Sequence, residues 1–370
     1  MFPAILYSVL IIGRKNRITS NDFNEFCSKN SELEDNTSSI VGQLKKGTDA
    51  KVLITTHHKP DADALGSSLG LWHFLVNRGI DAKVVTPTDY PHFLHWMPGE
   101  SEVINFEQQT EKSADLVDQA DIIFCLDFNH LHRINDLGVL VGASKATKIM
   151  IDHHRAPQDF DDYRLWTIET SSASELVHKF ISNCDGLDEI NKDIASCLYA
   201  GIMTDTGSFR FSSTSSNTHR VIADLIDHGA VNFQIHEAIS DNFSFRRFRL
   251  MGYVLYKKLL ILKEYNTALV ALSKEDLEMF NVQSGDTEGF VNFGLSIKGI
   301  KLSALIIDRT KLVKMSFRSK GDFPCNELSA KFFNGGGHLN AAGGGSSETL
   351  EAVVEKFREK VLPFYSEQLK

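Results

Sequence analysis

The sequence predicts an α/β protein: a first domain on a mainly parallel sheet, a helical connector, and a smaller α/β domain, with the functional site in the cleft between them. Three observations carry this. Apolar, β-branched runs at 51–56, 81–86, 121–126 and 148–151 alternate with helix-patterned segments, which implies right-handed crossovers and parallel pairing. Three of these runs end directly in acidic or imidazole residues, namely His57, Asp127 and Asp152. Strands of a parallel sheet share one carboxyl-end edge, where ligands collect, so three equivalent placements imply one convergent site. Finally, the pattern changes near Val231, first to helix formers and then to a strand-rich stretch.

Taken in order, Met1–Gly13 is apolar and is followed by Arg14, Lys15 and Arg17. It is short for a bilayer span, and a secretory signal carries its positive charges before the apolar run. Residues 1–36 are read as a poorly ordered extension. A first domain over 37–233 opens with a short helix at Ser39–Lys46 and the strand Lys51–Thr56. A helix from Ala64 to Arg78 stops at Gly79 and a second strand follows. Pro87, Pro91 and Pro98 mark a loop before the strands ending at Asp127 and Asp152. Helices follow from about Ser171, Lys192 and Asn217. The connector spans 234–263, and the second domain spans 264–370. Its strands are expected at Thr267–Leu272, Gly289–Ser296, Lys301–Asp308 and Lys311–Ser319, and its helices at Glu327–Phe333 and Leu350–Phe364.

The 370 residues suffice for two cores, and 42% hydrophobic with 24% charged residues is globular composition. A net charge of −9 argues against a broad basic surface for long duplexes. Five scattered cysteines without a CxxC pair indicate reduced thiols, core residues of a cytoplasmic protein with no membrane partner. A homodimer is compatible with all of this.

The turn His57-His-Lys-Pro-Asp61-Ala-Asp63-Ala-Leu-Gly66-Ser67 crowds two imidazoles and two carboxylates between a strand and a helix. Pro60 sets the turn, and Gly66 and Ser67 are read as opening the helix, where free N–H groups favour an anion. That donor mixture suits Mn²⁺, or Mg²⁺ or Fe²⁺. The plainer alternative is an acidic turn capping the helix. Asp205, in Thr204-Asp-Thr-Gly207, is either a local turn acceptor or a further carboxylate of the same site. Asn334-Gly-Gly-Gly-His338-Leu-Asn-Ala-Ala-Gly-Gly-Gly-Ser346 is either a linker or a loop letting a ligand approach the backbone closely. The span before it, Lys298–Lys320, sets seven cations against Asp308 alone: a solvated sheet face or a phosphate-facing one.

Together with Asp152-His153-His154, these motifs resemble the DHH phosphoesterase superfamily. Gly335-Gly336-Gly337-His338 with Ala341-Ala342-Gly343-Gly344, Asp286-Thr-Glu-Gly289 and Ser316-Phe-Arg318 are similar to its associated C-terminal domain. The subgroup most resembled is the nano-RNase / 3′-phosphoadenosine-5′-phosphate phosphatase type. The resemblance covers about Ser38 to Phe364. It implies two manganese ions, with magnesium as a substitute. His57, Asp61 and Asp127 would hold one; Asp63, Asp127, His153 and Asp205 the other. His154 would face the scissile phosphate, with Arg133 a further candidate. Arg318, Gly335, Gly336, Gly337 and His338 would bind substrate, Asp152 would orient a ligand imidazole, and His58 would be exposed without a role. The implied activity is hydrolysis of short oligoribonucleotides, 3′-phosphoadenosine-5′-phosphate, or both. The alternatives are a cyclic- or linear-dinucleotide phosphodiesterase and a RecJ-like exonuclease. Bound cations also explain how so many carboxylates share one crevice.

Overall fold

The computed structural model describes residues 34–37, 40–241, 244–283 and 285–370. Seven strands form the first sheet: β1 (Glu34–Asp35), β2 (Lys51–Thr56), β3 (Asp81–Thr86), β4 (Ile104–Asn105), β5 (Ile122–Leu126), β6 (Thr147–Asp152) and β7 (Tyr163–Trp166). Their order is β1-β7-β6-β5-β2-β3-β4, and every pair is parallel except β1–β7. The chain leaves β2 towards β3 and β4, then returns to lay β5 on the other side of β2. That reversal makes the β2/β5 junction the switch point, where the loops after adjacent strands diverge and open a crevice.

β2 and β5 read as continuous apolar runs because both sheet faces are covered. Val52, Ile54 and Phe124 enter a core with residues of the helices Ala62–Asn77, Ala173–Asn183 and Lys192–Asp205. Leu53, Ile123 and Cys125 enter the opposite core, with Val117 from the helix Thr110–Gln119 and Val141 from Leu137–Ala143. Those last two helices and β7 escape the sequence reading. Thr110–Gln119 buries only Ser113 and Val117, too little for a clear apolar stripe. Ser39–Lys46 yields a single 3₁₀ turn, Val41–Leu44. The expected extension 1–36 lies outside the described residues as far as residue 33, while Glu34–Asp35 pair with β7. No helix among the described residues is long and apolar enough to cross a membrane.

The second sheet has the order β12-β13-β11-β10-β9-β8, from β8 (Leu259–Leu262), β9 (Thr267–Leu272), β10 (Leu302–Asp308), β11 (Val313–Ser319), β12 (Gly336–His338) and β13 (Ala341–Ser346). Three expectations change here. The connector is helical over Asn232–Ser240 and Phe245–Tyr253, but its end, Leu259–Leu262, is β8. Asn266, at φ 45°, turns the chain so that these residues pair with β9. The segment Gly289–Ser296 is not a strand but the helix Phe290–Leu295. Gly289 at φ 76° starts it, and Gly294 lets it lie close on the sheet, where a Cβ would overlap Ser303 and Ala268. The glycine-rich stretch is a β-hairpin, not a loop, with β13 paired to both β12 and β11.

Candidate metal centre and active site

The centre begins at the carboxyl end of β2. The His57 Nδ1–H donates to the His58 carbonyl at 2.9 Å, which turns Nε2 towards Asp127 Oδ2 at 3.4 Å and Asp61 Oδ2 at 3.9 Å. Asp61 caps the helix Ala62–Asn77: its Oδ1 accepts from the N–H groups of Asp63 and Ala64, both at 3.0 Å. Capping and ligation therefore do not compete, because each uses a different oxygen. With the helix N-terminus already capped, the reading of Gly66 as part of an anion site is corrected. It lies in the second turn, packed so tightly that a Cβ would overlap the Cys197 carbonyl oxygen.

Asp127 follows β5 with φ 61°, a conformation costing roughly 1–2 kcal/mol for a residue with a Cβ. Its N–H donates to the Ile151 carbonyl at 3.0 Å, which anchors it against β6. Oδ2 faces His57, whereas Oδ1 faces His153 Nε2 at 3.3 Å and His154 Nδ1 at 3.6 Å. His153 Nε2 also lies 3.4 Å from Asp205 Oδ2 and 3.9 Å from Asp63 Oδ2. Asp63 is held by a partner that the sequence reading missed, the N-terminus of the helix Ala173–Asn183. The N–H groups of Ala173 and Ser174 donate to its two oxygens at 2.7 and 2.9 Å. The local signal was Ser172-Ala-Ser-Glu175, an N-cap pattern in which Ser172 accepts from the Glu175 N–H. Asp205 is the last residue of the helix Lys192–Asp205, not a turn residue beyond it.

Two groups of donors thus converge, His57/Asp61/Asp127 and Asp63/His153/Asp205, each with its donor atoms within 4.8 Å of one another. The electrostatics are those of a surplus of carboxylates. Burial opposes protonation of His57 and His153, but the Asp127 carboxylate and its neighbours outweigh it and push them up to about 9 and about 10. Burial and the Asp127 charge push Asp63 up to about 7; burial, then Asp63, raise Asp205 well above the usual carboxylate range. Burial would raise Asp127, but the His153 and His57 imidazoles that face its two oxygens outweigh it and hold the carboxyl well below that range. Its Oδ1 is fully buried without a hydrogen-bond partner. An orphaned carboxylate oxygen between two acid–imidazole groups fits divalent cations well.

The imidazole that Asp152 orients is that of His154, whose Nδ1–H donates to Asp152 Oδ1 at 2.8 Å and whose backbone N–H donates to Oδ2 at 3.2 Å. His58 is exposed yet not idle: its N–H and Nδ1–H both donate to the Arg133 carbonyl, at 2.8 and 2.9 Å, tying together the turns after β2 and β5. The Arg133 charge reaches both His57 and His338. From the second domain, the His338 ring lies on His154, and Arg318 is half-buried beside it on β11. Of the three glycines before His338, Gly335 and Gly337 serve close approach within the hairpin, because a Cβ at either would overlap the facing strand's carbonyl oxygens. Gly336 alone of these faces open space.

Fold and centre define a class: a two-domain α/β protein with an acid–imidazole centre at the switch point of a parallel sheet, met by a histidine from the second domain. The DHH family N-terminal domain matches residues 51–202, and the DHHA1 domain matches residues 265–366. The chain belongs to the DHH phosphoesterase family and is a hydrolase. It is 30% identical over 330 residues, 87% of this chain and 94% of that protein, to the bifunctional oligoribonuclease and PAP phosphatase NrnA of Thermus thermophilus. The Bacillus subtilis protein of the same name is 27% identical over 297 residues, 79% of this chain and 88% of that one. The crystal structure of an exopolyphosphatase-related protein from Bacteroides fragilis superposes with a TM-score of 0.87 at 41% identity, covering 91% of this chain and 98% of that one.

Proposed function

We propose that the protein is a divalent-cation-dependent phosphoesterase that hydrolyses short oligoribonucleotides and 3′-phosphoadenosine-5′-phosphate, with manganese as the working ion and magnesium as a substitute. The observation that carries this reading is the division of the Asp127 carboxylate, one oxygen towards each donor group. His57, Asp61 and Asp127 would hold one cation, and Asp63, His153 and Asp205 with Asp127 the other. When bound, the cations supply Lewis-acid charge for in-line attack of water on the phosphoryl group.

The remaining roles belong to the chain. Asp152 keeps the His154 proton on Nδ1, so Nε2 is the nitrogen offered to the scissile phosphate. His338 covers one face of that ring, while Arg318 and Arg133 bring positive charge to the phosphates. No thiol competes as nucleophile among the described cysteines: Cys125, Cys184, Cys197 and Cys325 are buried, and burial raises each thiol's pKa.

The test is a substrate panel with Mn²⁺, with Mg²⁺ and after chelation: 3′-phosphoadenosine-5′-phosphate, RNA of graded length, cyclic dinucleotide and pyrophosphate. Cation-dependent hydrolysis of the bisphosphate and of RNA, falling steeply beyond a handful of nucleotides, is expected. Processive degradation of long strands, or preference for cyclic dinucleotide or pyrophosphate, overturns the reading.

A further inference from the structure

The helix Ala173–Asn183 holds Asp63 through its first N–H groups, and its own first turn is held in place by Glu175. Glu175 is the third residue of that helix and is buried, 5% exposed. In an ordinary capping box a glutamate here reaches back to the N–H of the capping residue. This one reaches a residue further. Its Oε2 accepts from the Ser171 hydroxyl at 2.6 Å and the Ser171 N–H at 3.2 Å. The same oxygen accepts from Thr218 Oγ1 at 3.0 Å, and Oε1 accepts from Asn217 Nδ2 at 2.8 Å. No cation pairs with Glu175 among the described residues. Four hydrogen bonds from neutral donors hold it instead.

Two of those donors come from the start of another helix, Ser216–Asp227. Thr218 is tied into the cap of that helix: its N–H donates to Ser215 Oγ and its Oγ1 accepts from the Ser215 N–H, both at 3.1 Å. The hydroxyl proton of Thr218 is what reaches Glu175. One carboxylate therefore joins the starts of two helices, and each lies beside a different donor of the second cation group. The first helix carries the N–H groups on Asp63. The second closes the far end of the turn that leaves Asp205. Between them runs the helix Lys192–Asp205, seated so closely that a Cβ at Gly201 would overlap Ser174 Oγ and Asp63 Oδ1. Both Asp63 oxygens are bound to backbone, so Asp63 moves whenever the first turn of Ala173–Asn183 moves.

We propose that Glu175 is a positioning residue for the Asp63/His153/Asp205 group: by locking the two helix starts together it sets the separation of Asp63 and Asp205 at which one cation is held. This rests on the two-cation reading above. Loss of the Glu175 hydrogen bonds lets the second group spread. The His57/Asp61/Asp127 group, carried by the turns after β2 and β5, keeps its geometry. Partners one step behind the ligands of a metal site act on affinity in this way, through the orientation of the ligands.

The test is calorimetric titration of the chelated protein with Mn²⁺, in Glu175→Leu, Glu175→Gln and Thr218→Val. Val177→Ala is the stability control, a fully buried residue of the same helix outside the network. Glu175→Leu weakens one of two Mn²⁺ sites about 10- to 100-fold and leaves the other as in the wild type. Made in a His57→Ala background it weakens the ion that remains; in a His153→Ala background it does not. Glu175→Gln stays close to the wild type, because its oxygen keeps the Ser171 and Thr218 bonds while the exposed Asn217 amide turns over to accept from its nitrogen. Thr218→Val weakens the same site by less, and keeps the test open should Glu175→Leu fail to fold. Val177→Ala lowers the melting temperature with both Kd values unchanged. Equal weakening of both sites, an unchanged Kd in Glu175→Leu, or a loss in Glu175→Gln as large as in Glu175→Leu overturns the proposal. Should the wild type bind a single Mn²⁺, the two-cation reading fails. The one Kd then still decides: weakening in Glu175→Leu with recovery in Glu175→Gln supports the positioning role, and an unchanged value sinks it.

Discussion

The imidazole of His338, carried on the second domain's hairpin, stacks on that of His154 with ring centroids 4.4 Å apart and planes 28° from parallel. Asp152 grips His154 at the ring edge through Nδ1, so one ring is held by residues of both domains. Burial, then the charges of His154 and His153, hold His338 well below the ordinary imidazole value. It therefore meets its neighbour as a neutral ring.

Asp127→Asn tests the shared carboxylate. It removes the charge that both donor groups lean on, so turnover is abolished and binding of at least one Mn²⁺ weakens in calorimetric titration. Undiminished activity would dispose of the bridging role.

The imidazoles divide by function. His154→Ala retains cation binding but loses about 10²- to 10⁴-fold in kcat, the range for a positioned proton-handling group. His338→Ala mainly raises KM with cation content intact. Cation loss in His154→Ala would mean that His153 and His154 have been assigned in the wrong order.

Stability of the cation-free protein depends on pH with a definite sign. His57 and His153 are pushed up from 6.5 to about 9 and about 10, because the surrounding carboxylates outweigh burial. Their contribution is complete below 6.5 and is lost as pH rises through 9 and 10. Asp63, pushed from 3.8 to about 7 by burial and Asp127, works in the same direction between those values. Thermal midpoints of chelated protein should therefore fall from pH 6 to pH 10. Saturating Mn²⁺ should flatten the slope, because cations replace the bound protons. Parallel slopes with and without cation would contradict this account.

Gly66→Ala should destabilise the fold by about 1–3 kcal/mol, since the new methyl group meets the Cys197 backbone and forces two buried helices apart. Gly252→Ala, on the helix Phe245–Tyr253 with nothing within 4 Å of its Cβ, is the control, expected to be neutral or stabilising. Equal melting temperatures for the two variants would refute the packing role.

Much of this protein is readable from local pattern. Apolar runs marked β2, β3 and β5 to within a residue, and the chemistry at the carboxyl ends of β2, β5 and β6 marked the centre. Both depend on neighbours in sequence and on a general property of parallel sheets. The glycine-rich stretch was legible as special, but not as a hairpin, because glycine composition alone does not distinguish close approach to a ligand from close approach to another strand. The helix Phe290–Leu295 was misread because a short apolar run has no decisive period.

What the sequence by itself determined was which residues gather at one edge: His57, Asp61, Asp63, Asp127, His153, His154 and Asp205, all tied to strand ends or helix ends. Tertiary structure alone decided how they divide: which oxygen of Asp127 serves which group, that Asp152 serves His154, and that His338 arrives from another domain to meet it. Periodicity sets the face on which a side chain emerges. Its partner is set by long-range packing and by the competition of several carboxylates for few protons, and neither leaves a trace in the spacing of residues.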